Sequence, residues 1–281
     1  MKRLKMISIN WHMTERCNYR CKFCFAKYNT RERSLCENLN ESRRLIELLK
    51  KHGAEKITFT GGEPLLCKNL GEIVKFAKDL GITTCIVTNG YYLTEPLGLE
   101  FLENYGRFVD WIGISIDSQY EEVEKAVGRG FGDHVRRVKR AVELIRNNYP
   151  HIKLKINTVV FKYNWKEDMH ELIEELEPDR WKVFQVKLIE NVNDEAFNLG
   201  ITKDQFLDFV KRHENLNPIW EDNDLMTDSY IMIDPQGRFF NDDDCTNNPR
   251  EPIIKVGVYK ALQGIRFDPK KFIKRGGIYN W

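Results

Sequence analysis

Cys17, Cys21 and Cys24 fall within eight positions in the stretch TERCNYRCKFCFAKYN. A structural zinc site closes a tetrahedron with four N or S ligands, and His12, five residues before Cys17 on an expected strand, has no familiar zinc spacing to them. Three buried thiols without metal fit poorly with Arg16, Asn18, Arg20 and Lys22, which make the loop polar. Thiolates also hold iron–sulfur clusters, and a four-iron cluster normally takes four of them. Three cysteines leave one iron open to a small chelating molecule that exchanges electrons with it.

A second constellation is TGGEP, Thr60 to Pro64, where paired glycines let backbone approach a ligand closely. TNG and SID place Asn89, Ser115 and Asp117 at the ends of two further expected strands. Asp117 is read equally as ordinary loop chemistry. Side chains alternate across a strand, and in a βα barrel the face toward the helices is apolar. Parity therefore turns Lys56, Thr58 and Thr60, Lys155 and Asn157, and Arg180 and Lys182 inward, with Ser8, Asn10 and His12 beside them. Barrel interiors are normally filled by Val, Ile and Leu. Four inward cations require either solvent and carboxylates such as Asp179, or a polyanionic ligand, most economically a triphosphate.

The elements that must position these groups alternate regularly. MISINWH, KITFT, TTCIVTN, DWIGISID, KLKINTVV and RWKVFQVKLI read as strands. Between and after them come the helical runs ESRRLIELLKKHG with Asn40 before it, NLGEIVKFAKDLG, LGLEFLENYG, DHVRRVKRAVELIRNN and WKEDMHELIEELEP. Six βα units in series predict an α/β fold with a parallel sheet and outer helices. Beyond residue 190 the beat breaks into a helix at TKDQFLDFVKRHEN, a hairpin turning at Pro235–Gly237 and a mixed segment, expected to pack on the same barrel. The chain has 281 residues, 42% of them hydrophobic, with a net charge of +2, so neither a nucleic-acid nor a membrane-surface role is expected. Seven cysteines, three of them clustered, point to a reducing, cytoplasmic setting rather than a disulfide framework.

C-x-x-x-C-x-x-C after the first strand, together with TGGEP after the second, resembles the signature of the radical S-adenosylmethionine (SAM) enzymes. EKITFTGGEP, GRGFG, KIN, DRWKVFQ, DSYIMID and KRGGIYNW further resemble the viperin family within them. That resemblance implies a partial (βα)6 radical SAM barrel at residues 1–190 and a C-terminal extension at 191–281 that completes the substrate site within one structural domain. It also implies a [4Fe–4S] cluster on Cys17, Cys21 and Cys24, with S-adenosylmethionine lined by Thr60, Gly61, Gly62, Glu63, Asn89, Ser115 and Arg129. The implied reaction removes the C4′ hydrogen of a ribonucleoside triphosphate by a 5′-deoxyadenosyl radical. Loss of the 3′-hydroxyl as water, with one electron and one proton supplied, then gives a 3′-deoxy-3′,4′-didehydro nucleotide, an antiviral chain terminator.

By the same resemblance Lys56, Lys155, Asn157, Arg180 and Lys182 contact substrate, and Tyr230 donates a proton or hydrogen atom after the abstraction. The alternative for Tyr230 is aromatic packing on the hairpin. The family's basic glycine-rich loop is replaced by NDDDCTNNPREP, which leaves Arg250 as the candidate phosphate ligand and Asp242, Asp243 and Asp244 as either base contacts or a solvated loop. The amphipathic N-terminal helix of animal members is missing, so a soluble monomer is expected, served by an electron donor such as a flavodoxin or ferredoxin. Peptide-modifying radical enzymes with auxiliary clusters carry many C-terminal cysteines, whereas here only Cys245 lies beyond residue 85. A non-catalytic iron–sulfur interaction protein would need neither an open iron nor inward cations.

Overall fold

The expected strand–helix beat is realised as β1 (Ser8–His12), β2 (Lys56–Thr60), β3 (Thr83–Thr88), β4 (Trp111–Ser115), β5 (Lys153–Val160) and β6 (Arg180–Gln185) in a computed structural model that describes residues 7–28, 32–241 and 248–280. Helices α1 (Leu39–Lys51), α2 (Leu70–Asp79) and α3 (Pro96–Tyr105) follow the first three strands. Then α4 (Glu121–Ala126) and α5 (His134–Asn148) follow β4, α6 (His170–Leu176) follows β5, and α7 (Lys203–Arg212) follows β6. The first helix starts earlier than expected because the Asn38 side chain, not Asn40, accepts the free N–H groups of its first turn.

Three strands of the extension join the same sheet: β7 (Ile219–Glu221), β8 (Met232–Ile233) and β9 (Phe239–Phe240). The strand order is β7-β6-β5-β4-β3-β2-β1-β8-β9, parallel throughout except that β9 runs antiparallel to β8. The six expected strands form the arc, and the extension pairs one strand with each of its edges. Among the described residues no ladder joins β7 to β9, so the barrel stays open. The hairpin turns where expected, with Gly237 at φ +76° and its N–H on the Asp234 carbonyl at 3.0 Å.

Strand β6 and helix α6 are shorter than their sequence patterns for identifiable reasons. Strand β6 stops at Gln185 because the Asn193 side chain takes over the backbone that follows, donating to the carbonyls of Lys187 and Phe23 and accepting from Ile189 N. Helix α6 starts only at His170, because Asn164 and Glu167 are tied to the loop after β4, and it ends at Glu177 in the left-handed region before Pro178.

The outward parity is as expected. Ile57, Phe59, Leu154, Ile156, Trp181 and Val183 are buried in one core with Leu45, Ile46 and Leu49 of α1 and Val138, Ala141 and Ile145 of α5. The i, i+3, i+4 and i+7 spacing of those helix residues puts them on one face, and each large apolar side chain buried there stabilises the fold by about 1.5–3 kcal/mol. This core fixes the strands whose other face forms the site.

Candidate active site

The inward face of the sheet encloses a cavity of about 880 Å³. Its wall includes the three cysteines, Thr60, Gly61, Gly62, Asn89, Ser115 and Arg129, and also Lys56, Lys155, Asn157, Arg180, Lys182 and Tyr230. Parity placed Ser8, Asn10, His12 and Thr58 on the same wall, and they are there. His12 is buried among the ring edges of Phe25, Tyr28 and Phe240, and burial lowers its pKa to about 3. It is a packed, neutral ring.

At the carboxyl ends of the strands the cysteine loop lies on the TGGEP loop. Gly62 N donates to Thr14 O at 2.6 Å and Glu63 N to Arg16 O at 2.8 Å, continuing the β1–β2 pairing into the loops. A Cβ on Gly61 would lie 2.6 Å from Thr14 O, and one on Gly62 would lie 2.2 Å from Arg16 O. The paired glycines thus admit the backbone of the cysteine loop itself, in addition to facing the cavity. Glu63 does not line the cavity. Fully buried, it accepts from Thr88 Oγ1, Asn89 N and Leu65 N, and burial raises its pKa to about 7. Asn89, held in this way, donates through Nδ2 to Asn18 Oδ1 at 2.8 Å and lies 3.8 Å from Cys17 Sγ. Glu63 therefore acts on the cysteine loop through Asn89.

The spread of the thiols bears on the two metal readings. Four ligands around one zinc, at about 2.3 Å for sulfur, hold their donor atoms close together. Among the described residues, the one set of three or more His, Cys, Asp or Glu whose ligand atoms lie within 4.8 Å of one another is Asp168, His170 and His213. The three cysteine sulfurs do not lie within that distance of one another. The Asp168 set is itself committed to the fold, with His213 Nδ1 on Phe209 O at 2.8 Å and Met169 N donating to Nε2 at 2.9 Å. Burial raises all three thiols, Cys21 to about 12.

Arg129, reaching the cavity from the GRG loop after α4, is backed by two buried carboxyls. Its Nε donates to Asp117 Oδ2 at 2.6 Å and lies 3.7 Å from Glu124 Oε2. Burial raises both carboxyls, and Asp117 pushes Glu124 further up. Asp117 therefore stands behind Arg129, away from the cavity wall.

At the opposite, amino-terminal end of the strands, Lys56, Lys155, Arg180 and Lys182 converge. Asp179 is not their counter-ion, since its Oδ2 accepts from Leu154 N at 2.8 Å. The extension supplies their partners. Tyr279 meets Lys56 through its hydroxyl, and Arg180 lies 3.9 Å from its ring centroid. Arg180 Nη2 also donates to Gly276 O at 2.6 Å. Lys182 is paired with the fully buried Glu221, which also takes Arg275 at 3.4 Å and the Tyr230 hydroxyl at 2.5 Å. Lys182 Nζ lies 3.3 Å from the Tyr230 oxygen, so the phenol accepts from Lys182 while donating to Glu221. Burial lowers Lys182 to about 7 and Lys56 well below its usual value. Burial alone would raise Glu221, but Lys182 and Arg275 bring it below the ordinary carboxylate value, so it is ionised.

Arg250 is the one candidate cation placed elsewhere. Its guanidinium is engaged by Asn248 Oδ1 at 3.3 Å and Gly264 O at 3.1 Å, off the cavity wall. Asp242, Asp243, Asp244 and Cys245 lie outside the described residues. Sequence reasoning missed Glu221, Arg275 and Tyr279. Glu221 sits on a three-residue strand without a pattern, whereas KRGGIYNW carried the other two within a recognisable segment.

The Radical SAM superfamily model matches residues 11–176. The S-adenosylmethionine-dependent nucleotide dehydratase of Flammeovirga pacifica is 40% identical over 98% of this chain and 96% of its own length. That of Lacinutrix mariniflava is 40% identical over 99% of this chain, which spans 59% of that relative's length. In structure, anSMEcpe with bound AdoMet and a peptide superposes with a TM-score of 0.67 at 15% identity, over 95% of this chain and 83% of the other, a likeness of fold alone. Among the described residues no helix is long and apolar enough to cross a membrane. With the superfamily model spanning more than half of it and a relative matched almost end to end, the chain belongs to the radical SAM superfamily and, within it, to the viperin-type family of S-adenosylmethionine-dependent nucleotide dehydratases.

Proposed function

We propose that the protein dehydrates a ribonucleoside triphosphate to its 3′-deoxy-3′,4′-didehydro analogue. The observation that carries this reading is a single cavity with three thiols at one end and a group of buried cations at the other. Cys17, Cys21 and Cys24 would hold a [4Fe–4S] cluster, and Thr60, Gly61, Gly62, Asn89, Ser115 and Arg129 would surround S-adenosylmethionine. When bound, these groups supply the 5′-deoxyadenosyl radical that takes the C4′ hydrogen.

The chain's own residues do the rest. Lys56, Lys155, Arg180, Lys182 and Arg275, offset by Glu221, leave a strongly positive end suited to a triphosphate, and anchoring the phosphates there fixes which ribose hydrogen faces the cluster end. Asn157, on β5 and lining the cavity, would orient the ribose. A bound triphosphate competes with Glu221 for Lys182 and Arg275, which frees Glu221 to exchange a proton with Tyr230. In that arrangement Tyr230 would deliver the proton or hydrogen atom needed after the abstraction.

The test is the reconstituted protein with dithionite and S-adenosylmethionine, with and without each of CTP, UTP, GTP and ATP. Cleavage of S-adenosylmethionine should depend on one of the nucleotides, whose mass should fall by one water. Cleavage that responds to none of them would overturn the reading. In Tyr230→Phe, cleavage should persist while the yield of dehydrated nucleotide falls, and an unchanged yield would remove Tyr230 from the mechanism.

A further inference from the structure

The outer surface of the cysteine loop combines uncancelled positive charge with an exposed aromatic ring. Arg20 N donates to Gly128 O at 3.1 Å and Lys22 N to Val127 O at 2.9 Å, so the loop runs alongside the end of α4. Cys21, between them, belongs to the cavity wall, exposed Arg20 stands at the rim where that wall meets the surface, and exposed Lys22 lies off the wall. Their heads rest on neutral acceptors, with Arg20 Nη1 2.5 Å from Cys17 O and Lys22 Nζ 2.8 Å from Ala126 O. Their charge is therefore not cancelled.

Exposed Lys125 precedes Ala126, whose carbonyl takes Lys22, and its Cδ is 3.6 Å from where a Cβ on Gly132 would stand. Phe131, beside that glycine, is 63% exposed, the highest value for a large apolar side chain among the described residues. It packs edge-on against Tyr19 at 5.5 Å and Tyr91 at 6.1 Å. Of the nearby carboxylates, Glu95 and Asp133 are both taken by Arg137, at 2.6 and 2.7 Å, and Arg137 in turn lies over Tyr91, while Glu121 and Glu122, one turn before Lys125 on α4, offset part of its charge and leave Arg20 and Lys22 to set the sign of the face.

An aromatic anchor rimmed by cations is the make-up of an interface steered by charge. Its position, one residue along the chain from a thiol of the proposed cluster, gives it a purpose. We propose that Arg20, Lys22 and Lys125 around Phe131 form the docking surface for a small acidic one-electron carrier protein. This rests on the cluster reading above. The electron must arrive from outside while the cavity holds substrate, and this face offers the loop backbone of Cys21 without entry through the cavity. The charge is of the sign that an acidic carrier needs, and Phe131 supplies the apolar centre.

The experiment uses the cluster-loaded protein and an acidic flavodoxin in its hydroquinone form. Cluster reduction is followed by stopped-flow absorbance, and complex formation by fluorescence anisotropy of labelled flavodoxin. A Lys22→Glu, Lys125→Glu double variant should be reduced about tenfold more slowly at low ionic strength, as expected for reversed rim charges. The difference should shrink as the Debye length falls from about 10 Å at 0.1 M to about 3 Å at 1 M. Phe131→Ala should weaken the complex at every salt concentration. Lys125→Glu alone, remote from the cysteine backbone, should show a smaller slowing of the same salt dependence and so guards against disturbance of the loop. Reduction by dithionite, which needs no docking face, should be unchanged in all variants. Flavodoxin-driven rates and anisotropy identical to the parent in the double variant and in Phe131→Ala would overturn the proposal. Failure of the dithionite-reduced parent to cleave S-adenosylmethionine would instead overturn the cluster reading.

Discussion

The two ends of the cavity are built in opposite ways. The thiol end comes from the first 130 residues, from the loops after β1 and β2 and the segment after α4, joined by backbone hydrogen bonds such as Gly62 N to Thr14 O and Lys22 N to Val127 O. The cationic end joins distant parts of the chain chiefly through charged side chains. Lys56 meets Tyr279, Arg180 meets Gly276, and Lys182 meets Glu221. A backbone-built site is held by the fold itself, whereas a site held by side-chain charge can be exchanged for a ligand. The first suits a permanent cofactor and the second a substrate that comes and goes.

The largest effect that separates the ends should come from Cys21→Ala, which should abolish a reconstituted cluster altogether, measured by iron content and visible absorption, because two thiolates rarely retain one. A cluster that survives would contradict the assignment of the thiol end. Lys182→Ala should leave the cluster intact and weaken nucleoside triphosphate binding about tenfold to a hundredfold, since charge-assisted hydrogen bonds contribute about 1.5–3 kcal/mol. Titration calorimetry that finds affinity unchanged would remove Lys182 from the phosphate site.

Acidity should act on triphosphate binding through the cationic end. Burial holds Lys182 at about 7 before the triphosphate arrives, and the triphosphate's negative charge must raise that value. Binding therefore takes up a proton above pH 7. Affinity should be flat below that pH and fall by at most about tenfold per pH unit above it, until the bound-state pKa is reached. An affinity that rises with pH would have the wrong sign for this account.

The smallest effect should be that of Gly62→Ala, whose added Cβ would stand 2.2 Å from Arg16 O. Such crowding costs about 1–3 kcal/mol and should lower Tm at about 2–4 °C per kcal/mol for a chain of this size class. Triphosphate binding should change little. A Gly62→Ala protein with unaltered Tm and normal cluster content would show that the loop tolerates the side chain.

The same contrast explains what could be read from the sequence. Period-two alternation identified Lys56, Lys155, Arg180 and Lys182 on β2, β5 and β6, because outward Ile57, Phe59, Leu154, Ile156, Trp181 and Val183 leave those side chains only one direction. Cysteine spacing and TGGEP likewise marked the thiol end. Glu63 misled, because its residue type and position do not reveal that Thr88 and Asn89 enclose its carboxylate. Arg250 misled because a cation after a hairpin does not announce that a carbonyl at Gly264 will hold it. Glu221 was invisible, because a three-residue strand has too few positions to show a period, and its role exists only once β7 lies beside β6. Long-range pairing between chain ends leaves no local trace.

The central claim is that the cations hold a triphosphate so that its ribose C4′ faces the thiol end. The most direct measurement follows deuterium from substrate into 5′-deoxyadenosine by mass spectrometry, using nucleoside triphosphates labelled singly at C1′, C2′ or C4′. Label from C4′ should appear in 5′-deoxyadenosine, and label from C1′ or C2′ should stay in the nucleotide. Transfer from C1′ or C2′, or no transfer from C4′, would contradict the account.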